Sequence, residues 1–311
     1  MKRVTVGRRA VLAVVSVVIV AIGGLQSPAL AVEGSWETTG SLNLPRQQAT
    51  VTQLDTGRTL VTGGRNFVPN ATVKPAELYD PLTETFTVTG SLNDGRWSHT
   101  ATLLLDGRVL VTGGYTDPVT GANAQPVLAT AELYHPATGT WTPTGSMHTR
   151  RALHVAQLLP DGRVLVAGGR TCNTAPPATC DFTFTTNTAE IYNPATDTWT
   201  PTANMNRNRT TTSAVLLTDG RVLVPAGFPG GQNTADIYNP ATATWTATGL
   251  LSVNRARQGA MLLPDGTALV VAWPVEPAAT SAVPSGRSIA PWRARFTLRR
   301  PVGVQVPVPG L

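Results

Sequence analysis

An all-β fold of repeated four-stranded units is what this sequence predicts, and three periodic features predict it. The first is a six-residue block: Ala76-Glu77-Leu78-Tyr79-Asp80-Pro81, Ala131-Glu132-Leu133-Tyr134-His135-Pro136, Ala189-Glu190-Ile191-Tyr192-Asn193-Pro194 and Ala235-Asp236-Ile237-Tyr238-Asn239-Pro240. The second is an aromatic seven residues after each Tyr: Phe86, Trp141, Trp199 and Trp245. The third is a turn, Asp106-Gly107-Arg108, Asp161-Gly162-Arg163 and Asp219-Gly220-Arg221, followed by glycine pairs at Gly63-Gly64, Gly113-Gly114 and Gly168-Gly169. Self-similarity at a period near 50 residues marks a repeat architecture.

The third unit shows how one period folds. Leu153 to Leu159 reads as an apolar inner strand, and Pro160-Asp161-Gly162 as a tight hairpin turn in which Gly supplies positive φ. Arg163 to Ala167 is a β-branched strand that stops at Gly168-Gly169. After a long loop come a third strand, Ala189 to Tyr192, a Pro-containing turn, and a fourth strand, Thr198-Trp199-Thr200. Proline is tolerated in that turn because no ladder donor is needed there. The first unit carries Asp55-Thr56-Gly57-Arg58 and the last Asp265-Gly266-Thr267, while in the fourth the glycine pair decays to Ala226-Gly227. Four short antiparallel strands per unit, repeated about an axis, form a propeller, which leaves only short, protected edges. About five blades are expected, the last incomplete: it begins with Leu262-Leu263-Pro264-Asp265-Gly266, then places Ala272-Trp273 where the glycine pair belongs, and no Tyr block follows.

The glycine pair after an apolar strand, the Tyr, and the aromatic seven residues later resemble the Kelch repeat, over a span from Trp36 to about Val271. That resemblance implies a Kelch-type β-propeller with one blade per repeat, its glycines allowing close strand packing and its Tyr and Trp packing between blades. It also implies that Trp36-Glu37-Thr38-Thr39-Gly40, which matches Trp141-Thr142-Pro143-Thr144-Gly145, is an outermost strand completing the last blade.

Three segments follow. Residues 1–31 read as a cleaved signal peptide: Lys2, Arg3, Arg8 and Arg9 precede an apolar run from Val11 to Ile22 and a small-x-small Ala29-Leu30-Ala31. That run falls short of the roughly 20 residues of a membrane span, so no stable membrane span and a secreted or extracytoplasmic bacterial protein are expected. Arg8-Arg9 resembles a twin-arginine export signal. Residues 32–273 are the propeller. Residues 274–311, rich in Pro, Arg, Val and Ala, read as an irregular, disordered tail. The abrupt loss of the repeat there is also what a truncated or frameshifted gene with impaired closure would give.

Charge points away from nucleic acid. The leader supplies four of the formal +6, leaving +2, and five arginines of the tail bring the repeat region to about −3. Cys172 and Cys180 are expected to close one loop as a disulfide, the outcome favoured in an oxidising compartment.

Arg46, Arg96, Arg151, Arg209 and Arg255 each lie ten residues after the motif aromatic, at the start of an inner strand. In a propeller they would ring the channel mouth on the face of the long loops 65–75, 115–130, 170–188 and 228–234. Two readings stand: five guanidiniums gripping an acidic ligand, as in some Kelch proteins, or arginines bonding carbonyls of their own or a neighbouring blade. His99 and His154 occupy equivalent inner-strand positions and no His-x-x-x-His or carboxylate cluster appears, so no metal, no cofactor and no catalytic residue is assigned. The functional expectation is a noncatalytic binding module for a protein or carbohydrate ligand. The enzyme alternative is a copper-radical oxidase resembling galactose oxidase. It lacks support because four of the five tyrosines belong to the repeat and only Tyr115 stands outside it.

Overall fold

The computed structural model describes residues 2–5, 35–68, 70–117, 126–172, 184–228, 233–249 and 255–274, and every element among them is a strand. Four complete blades follow one antiparallel order, from the inner strand to the outer. Blade 1 is β3 (Thr50–Gln53), β4 (Thr59–Thr62), β7 (Pro75–Asp80) and β8 (Thr85–Ser91). Its long loop is not irregular, as expected, but carries a hairpin of β5 (Arg65–Phe67) and β6 (Asn70–Thr72), held from blade 2 by Asp117, whose carboxylate accepts from the Thr72 N–H and hydroxyl. Blade 2 is β9 (Thr100–Leu103), β10 (Val109–Thr112), β11 (Ala131–His135) and β12 (Thr140–Thr144). Blade 3 is β13 (Val155–Leu158), β14 (Val164–Ala167), β15 (Ala189–Asn193) and β16 (Thr198–Thr202). Blade 4 is β17 (Val215–Leu216), β18 (Val222–Val224), β19 (Asp236–Asn239) and β20 (Thr244–Ala247). Successive inner strands pack as β3–β9–β13–β17, and the chain forms a Kelch-type propeller.

The fifth blade is a two-stranded hairpin, β21 (Arg255–Leu262) with β22 (Ala268–Pro274). In blades 1–3 the second strand stops before a glycine pair; here Ala272-Trp273 can continue the ladder, so β22 runs on to Pro274. The inner strand of blade 3 starts at Val155 rather than at Leu153 for a specific reason. Leu153 adopts a left-handed φ of 54° and donates its N–H to Ser98 O across the seam at 2.9 Å. Ser98 (φ 52°) does the same to Gln48, and Thr211 (φ 51°) to Leu153, giving a chain of bonds from inner strand to inner strand.

The N-terminal segment keeps the outer-strand contacts expected of it, with Thr39 Oγ1 2.7 Å from the Tyr79 hydroxyl and Gly40 N–H donating to Glu84 O. However, β2 (Ser35–Thr38) pairs with β1 (Lys2–Thr5), and no third strand of a fifth blade stands beside it among the described residues. Residues 6–34 and 275–311, which include most of the expected leader and nearly all of the tail, lie outside the described residues.

Apolar side chains meet between blades. Leu54, Leu60 and Leu92 of blade 1 pack on Val109, Val111 and Tyr134 of blade 2, and Leu110, Leu133 and Met147 pack on Val164, Val166 and Tyr192 of blade 3. Each Tyr ring stacks tilted on its own motif aromatic with centroids 4.8–5.0 Å apart. Its hydroxyl crosses the seam to a Thr of the preceding blade: Thr89 to Tyr134, Thr144 to Tyr192 and Thr202 to Tyr238, all at 2.9 Å. The indoles reach back as well, Trp199 Nε1 donating to Gly145 O at 2.7 Å and Trp245 Nε1 to Ala203 O at 2.8 Å.

The second glycine of each pair donates its N–H across the seam to the carbonyl of the next blade's arginine: Gly64 to Arg96 at 2.8 Å, Gly114 to Arg151 at 2.9 Å and Gly169 to Arg209 at 2.7 Å. A Cβ on Gly113, already at φ 59°, would fall onto the Arg151 carbonyl oxygen. Gly113→Ala is therefore expected to destabilise the protein by at least about 3 kcal/mol, read as a fall in the urea midpoint at unchanged m-value. Gly107→Ala, also at positive φ but with only Asp55 Oδ2 within 4 Å of the added carbon, should cost less than half as much.

Candidate functional site

The repeated arginines are sealed inside their blades rather than ringing an open mouth. The side chains of Arg96, Arg151 and Arg209 are 0% exposed and that of Arg46 is 1% exposed. Each lies in the lead-in to an inner strand and turns outward to the acid of its own blade's Tyr block. Arg46 Nη2 bonds Glu77 at 2.7 Å, Arg96 bonds Glu132 at 2.8 Å, and Arg151 bonds Glu190 at 2.7 Å. Nη1 takes two carbonyls, Gly113 and Thr130 for Arg96, and Gly168 and Thr188 for Arg151. In blade 4 the shorter Asp236 accepts from both Nε and Nη2 of Arg209. The acid's remaining lone pairs are met by the blade's own lead-in, where the N–H groups of Asn43, Asn93 and His148 donate to Glu77, Glu132 and Glu190. With donors and acceptors used within the blade, the arginines follow the carbonyl-bonding reading. Arg255 opens β21 opposite Pro274.

Sequence reasoning passed over Glu77, Glu132, Glu190 and Asp236, although an acid two residues before each Tyr was a visible signal. Burial opposes ionisation of Glu190, but the Arg151 guanidinium and the backbone N–H groups of His148 and Thr149 outweigh it and hold the carboxyl below its usual range. Glu77 is held low in the same way by Asn43, Leu44 and Arg46.

His99 and His154 are also interior. Each reaches to the preceding blade, His99 Nε2 to Thr50 Oγ1 at 2.9 Å and His154 Nε2 to Thr100 and Thr112 Oγ1 at 3.0 Å. Burial, reinforced by the neighbouring Arg96, pulls His99 down to about 3, and burial with Arg151 pulls His154 well down too. Both imidazoles are engaged at seams, and among the described residues no three His, Cys, Asp or Glu side chains come together to hold an ion. Cys172 is disulfide-bonded and packs beside Tyr115, Val127 and Ala152; Cys180, its expected partner, lies outside the described residues.

What does lie at the loop face is a row of side chains just beyond each glycine pair. Antiparallel bridges Gln47–Arg65, Trp97–Tyr115, Ala152–Arg170 and Thr210–Phe228 extend the four inner hairpins there. Arg65 and Arg170 reach across seams, the Arg65 guanidinium 5.5 Å from the Trp97 ring centre and Arg170 5.8 Å over Phe228, while Trp97 and Tyr115 stack at 4.5 Å within blade 2. Burial raises the pKa of the Tyr115 phenol, and the nearby Arg170 charge opposes that rise. Cations and π faces thus alternate from blade 1 to blade 4, each contact worth about 0.5–2 kcal/mol. Arg65, Trp97 and Arg170 are half-buried, and Phe228 remains 41% exposed. The opposite face holds an open groove of about 390 Å³ between the Asp55 and Asp106 turns and His135.

Residues 96–148 and 180–206 match the Kelch motif, so the chain carries Kelch repeats over those two stretches. Among solved structures it is similar to that of YjhT, with a TM-score of 0.60 and 16% identity over 78% of this chain and 81% of that one. It is also similar to a fungal alcohol oxidase of the AA5 family in complex with copper, with a TM-score of 0.48 and 17% identity over 80% of this chain and 63% of that one. No curated protein matches the sequence.

The buried charges set the acid limit of the fold. Folded-state values below the unfolded ones mean that the unfolded chain takes up protons first, so stability is lost as pH falls. For His99 and His154 the loss begins below about pH 6.5, and for Glu77 and Glu190 below about 4.5. Urea unfolding free energy should decline from pH 7 to pH 4, and the double variant His99→Gln/His154→Gln should flatten the part between pH 6.5 and 4.5. Glu190→Gln should cost about 3–5 kcal/mol at pH 7 by leaving Arg151 buried without its counter-charge.

Proposed function

We propose that this chain is an exported, noncatalytic binding module whose ligand, a protein segment or glycan bearing an acid group, docks on the loop face along Arg65, Trp97, Arg170 and Phe228. The alternating cation and aromatic row carries this reading. Guanidiniums pair with carboxylates and sulfates in a planar, bidentate way, and exposed rings offer flat apolar surface to a sugar or a side chain. The row stands on rigid hairpin ends locked by seam bonds, so little ordering is needed to receive a ligand. Export is supported by the basic, apolar and small-residue succession of residues 1–31.

An oxidase reading finds less support in these residues. Tyr115, the tyrosine outside the repeat blocks, is 2% exposed and stacked on Trp97, and the described histidines serve seams or Glu190 and Thr142. They do not fit a copper-radical centre. Kelch repeats generally mediate protein binding, which favours the noncatalytic class.

The test is titration of the full chain with acidic peptides and uronate-containing oligosaccharides by calorimetry. Arg170→Ala and Phe228→Ala should each weaken the binding ligand about tenfold or more while leaving the melting temperature within a few degrees. Binding indifferent to both changes, or stoichiometric copper uptake with turnover of sugars or aldehydes, would overturn the reading.

A further inference from the structure

The two faces of the blade row differ in charge. On the turn face, each arginine of blades 1–4 is paired with an aspartate: Arg58 with Asp80, Arg108 with Asp106, Arg163 with Asp161 and Arg221 with Asp219. Asp55, Asp197 and Asp265 stand on turns of the same face and enter no ion pair among the described residues, so that face is acidic.

The loop face is the reverse. Its described acids, Asp94 and Asp117, accept from Thr130 Oγ1 and from Thr72. Against them stand Arg65 and four further cations, Lys74, Arg150, Arg170 and Arg207, and none of those four enters an ion pair among the described residues. The loop residues outside the described ones, 118–125, 173–183 and 229–232, contain one charged residue, Asp181, too few to reverse the sign.

These cations are placed by a repeated arrangement. At each seam three stretches of backbone lie side by side: the end of an inner hairpin, the return of the same loop, and the lead-in to the next blade. Arg65 pairs with Thr72, and Leu92 N–H reaches Lys74 O at 3.0 Å. Tyr115 pairs with Val127, and Arg151 N–H reaches Leu128 O at 3.1 Å. Arg170 pairs with Thr185, and Arg209 N–H reaches Thr186 O at 3.3 Å. The hairpin ends carry the row of Arg65, Trp97, Arg170 and Phe228. Beside it, the return or the lead-in adds one cation per seam: Lys74 between blades 1 and 2, Arg150 between blades 2 and 3, and Arg207 between blades 3 and 4. Lys74 Nζ donates across its seam to Asn93 O at 2.8 Å, while Arg150 and Arg207 make no hydrogen bond among the described residues.

A charge that recurs from seam to seam fits a ligand whose own charge recurs. We infer that the acid-bearing ligand of the loop face is a polymer, an acidic polysaccharide with a carboxylate on successive sugars, laid across three seams past Lys74, Arg150 and Arg207. This rests on the loop face being the ligand face. Each cation takes a carboxylate, and the half-buried Trp97 and exposed Phe228 rings give the intervening sugars an apolar bed. A stiff sugar chain loses less freedom on such a surface than an acidic polypeptide does. The acidic turn face repels the same chain, so the propeller meets it in one orientation.

The test is calorimetric titration of the full chain with di-, tetra- and octagalacturonate, and with octaglutamate as a polypeptide of equal charge. Affinity should rise at least about tenfold from the dimer to the octamer, as successive acid groups engage successive seams, and should fall with added salt. Arg150→Ala/Arg207→Ala should weaken the octamer at least about fivefold and flatten its salt dependence, with the melting temperature held within a few degrees. Arg163→Ala, on the turn face, should leave octamer affinity unchanged. No gain with length, octaglutamate binding as tightly as octagalacturonate, or indifference to the double variant would each overturn the inference. If Arg170→Ala still weakens digalacturonate in that event, the polymer is lost but the loop face stands as a site for a single acid group.

Discussion

One arginine per blade holds the structure together in two directions at once. In blades 2 to 4 its carbonyl accepts the N–H of a glycine in the preceding blade, and in all four its guanidinium is buried against the acid of its own Tyr block. Seam and blade interior are fixed by the same residue, so neither can loosen without the other. Burying a guanidinium and a carboxylate is costly unless nearly every donor and acceptor is met. Here most of them are, through two carbonyls, a threonine and the backbone N–H groups of the lead-in. The glycine pair follows from this demand: only a backbone without Cβ passes closely enough to the arginine carbonyl.

Much of this was legible in the sequence because a repeat samples the same environment several times. The Tyr blocks, the Asp-Gly-Arg turns and the glycine pairs gave four strands in the right order, and the decay at Ala272-Trp273 marked where the pattern stops. The arginines were legible as a set but not in direction. Position in a strand does not say whether a long side chain faces the channel or folds back into its blade, and the acidic partner in the Tyr block held that information. The cation and aromatic row was not legible, since Arg65, Tyr115, Arg170 and Phe228 share a position but not a chemical type. Their contacts arise between blades, where neighbours are about 50 residues apart in sequence.

Structure and function divide along the loop face. Residues that repeat with fixed chemistry, such as the buried arginines, the tyrosines and the seam threonines, serve the scaffold. Residues that keep the place but change type stand on the hairpin ends, where a scaffold made rigid by its seams can present varied side chains. The buried histidines sit between these groups: present in two blades, replaced in others, and tuned by burial to remain neutral.

The hydroxyl contact from Thr to Tyr carries a consequence for how such a chain can change length over generations. A unit of sequence running from one Tyr block to the next does not coincide with a blade; it contains the outer half of one wedge and the inner half of its neighbour. A duplication or loss of that unit therefore inserts or removes a piece whose two ends already match the surfaces they will meet. The ring can gain or shed members without a new interface having to evolve.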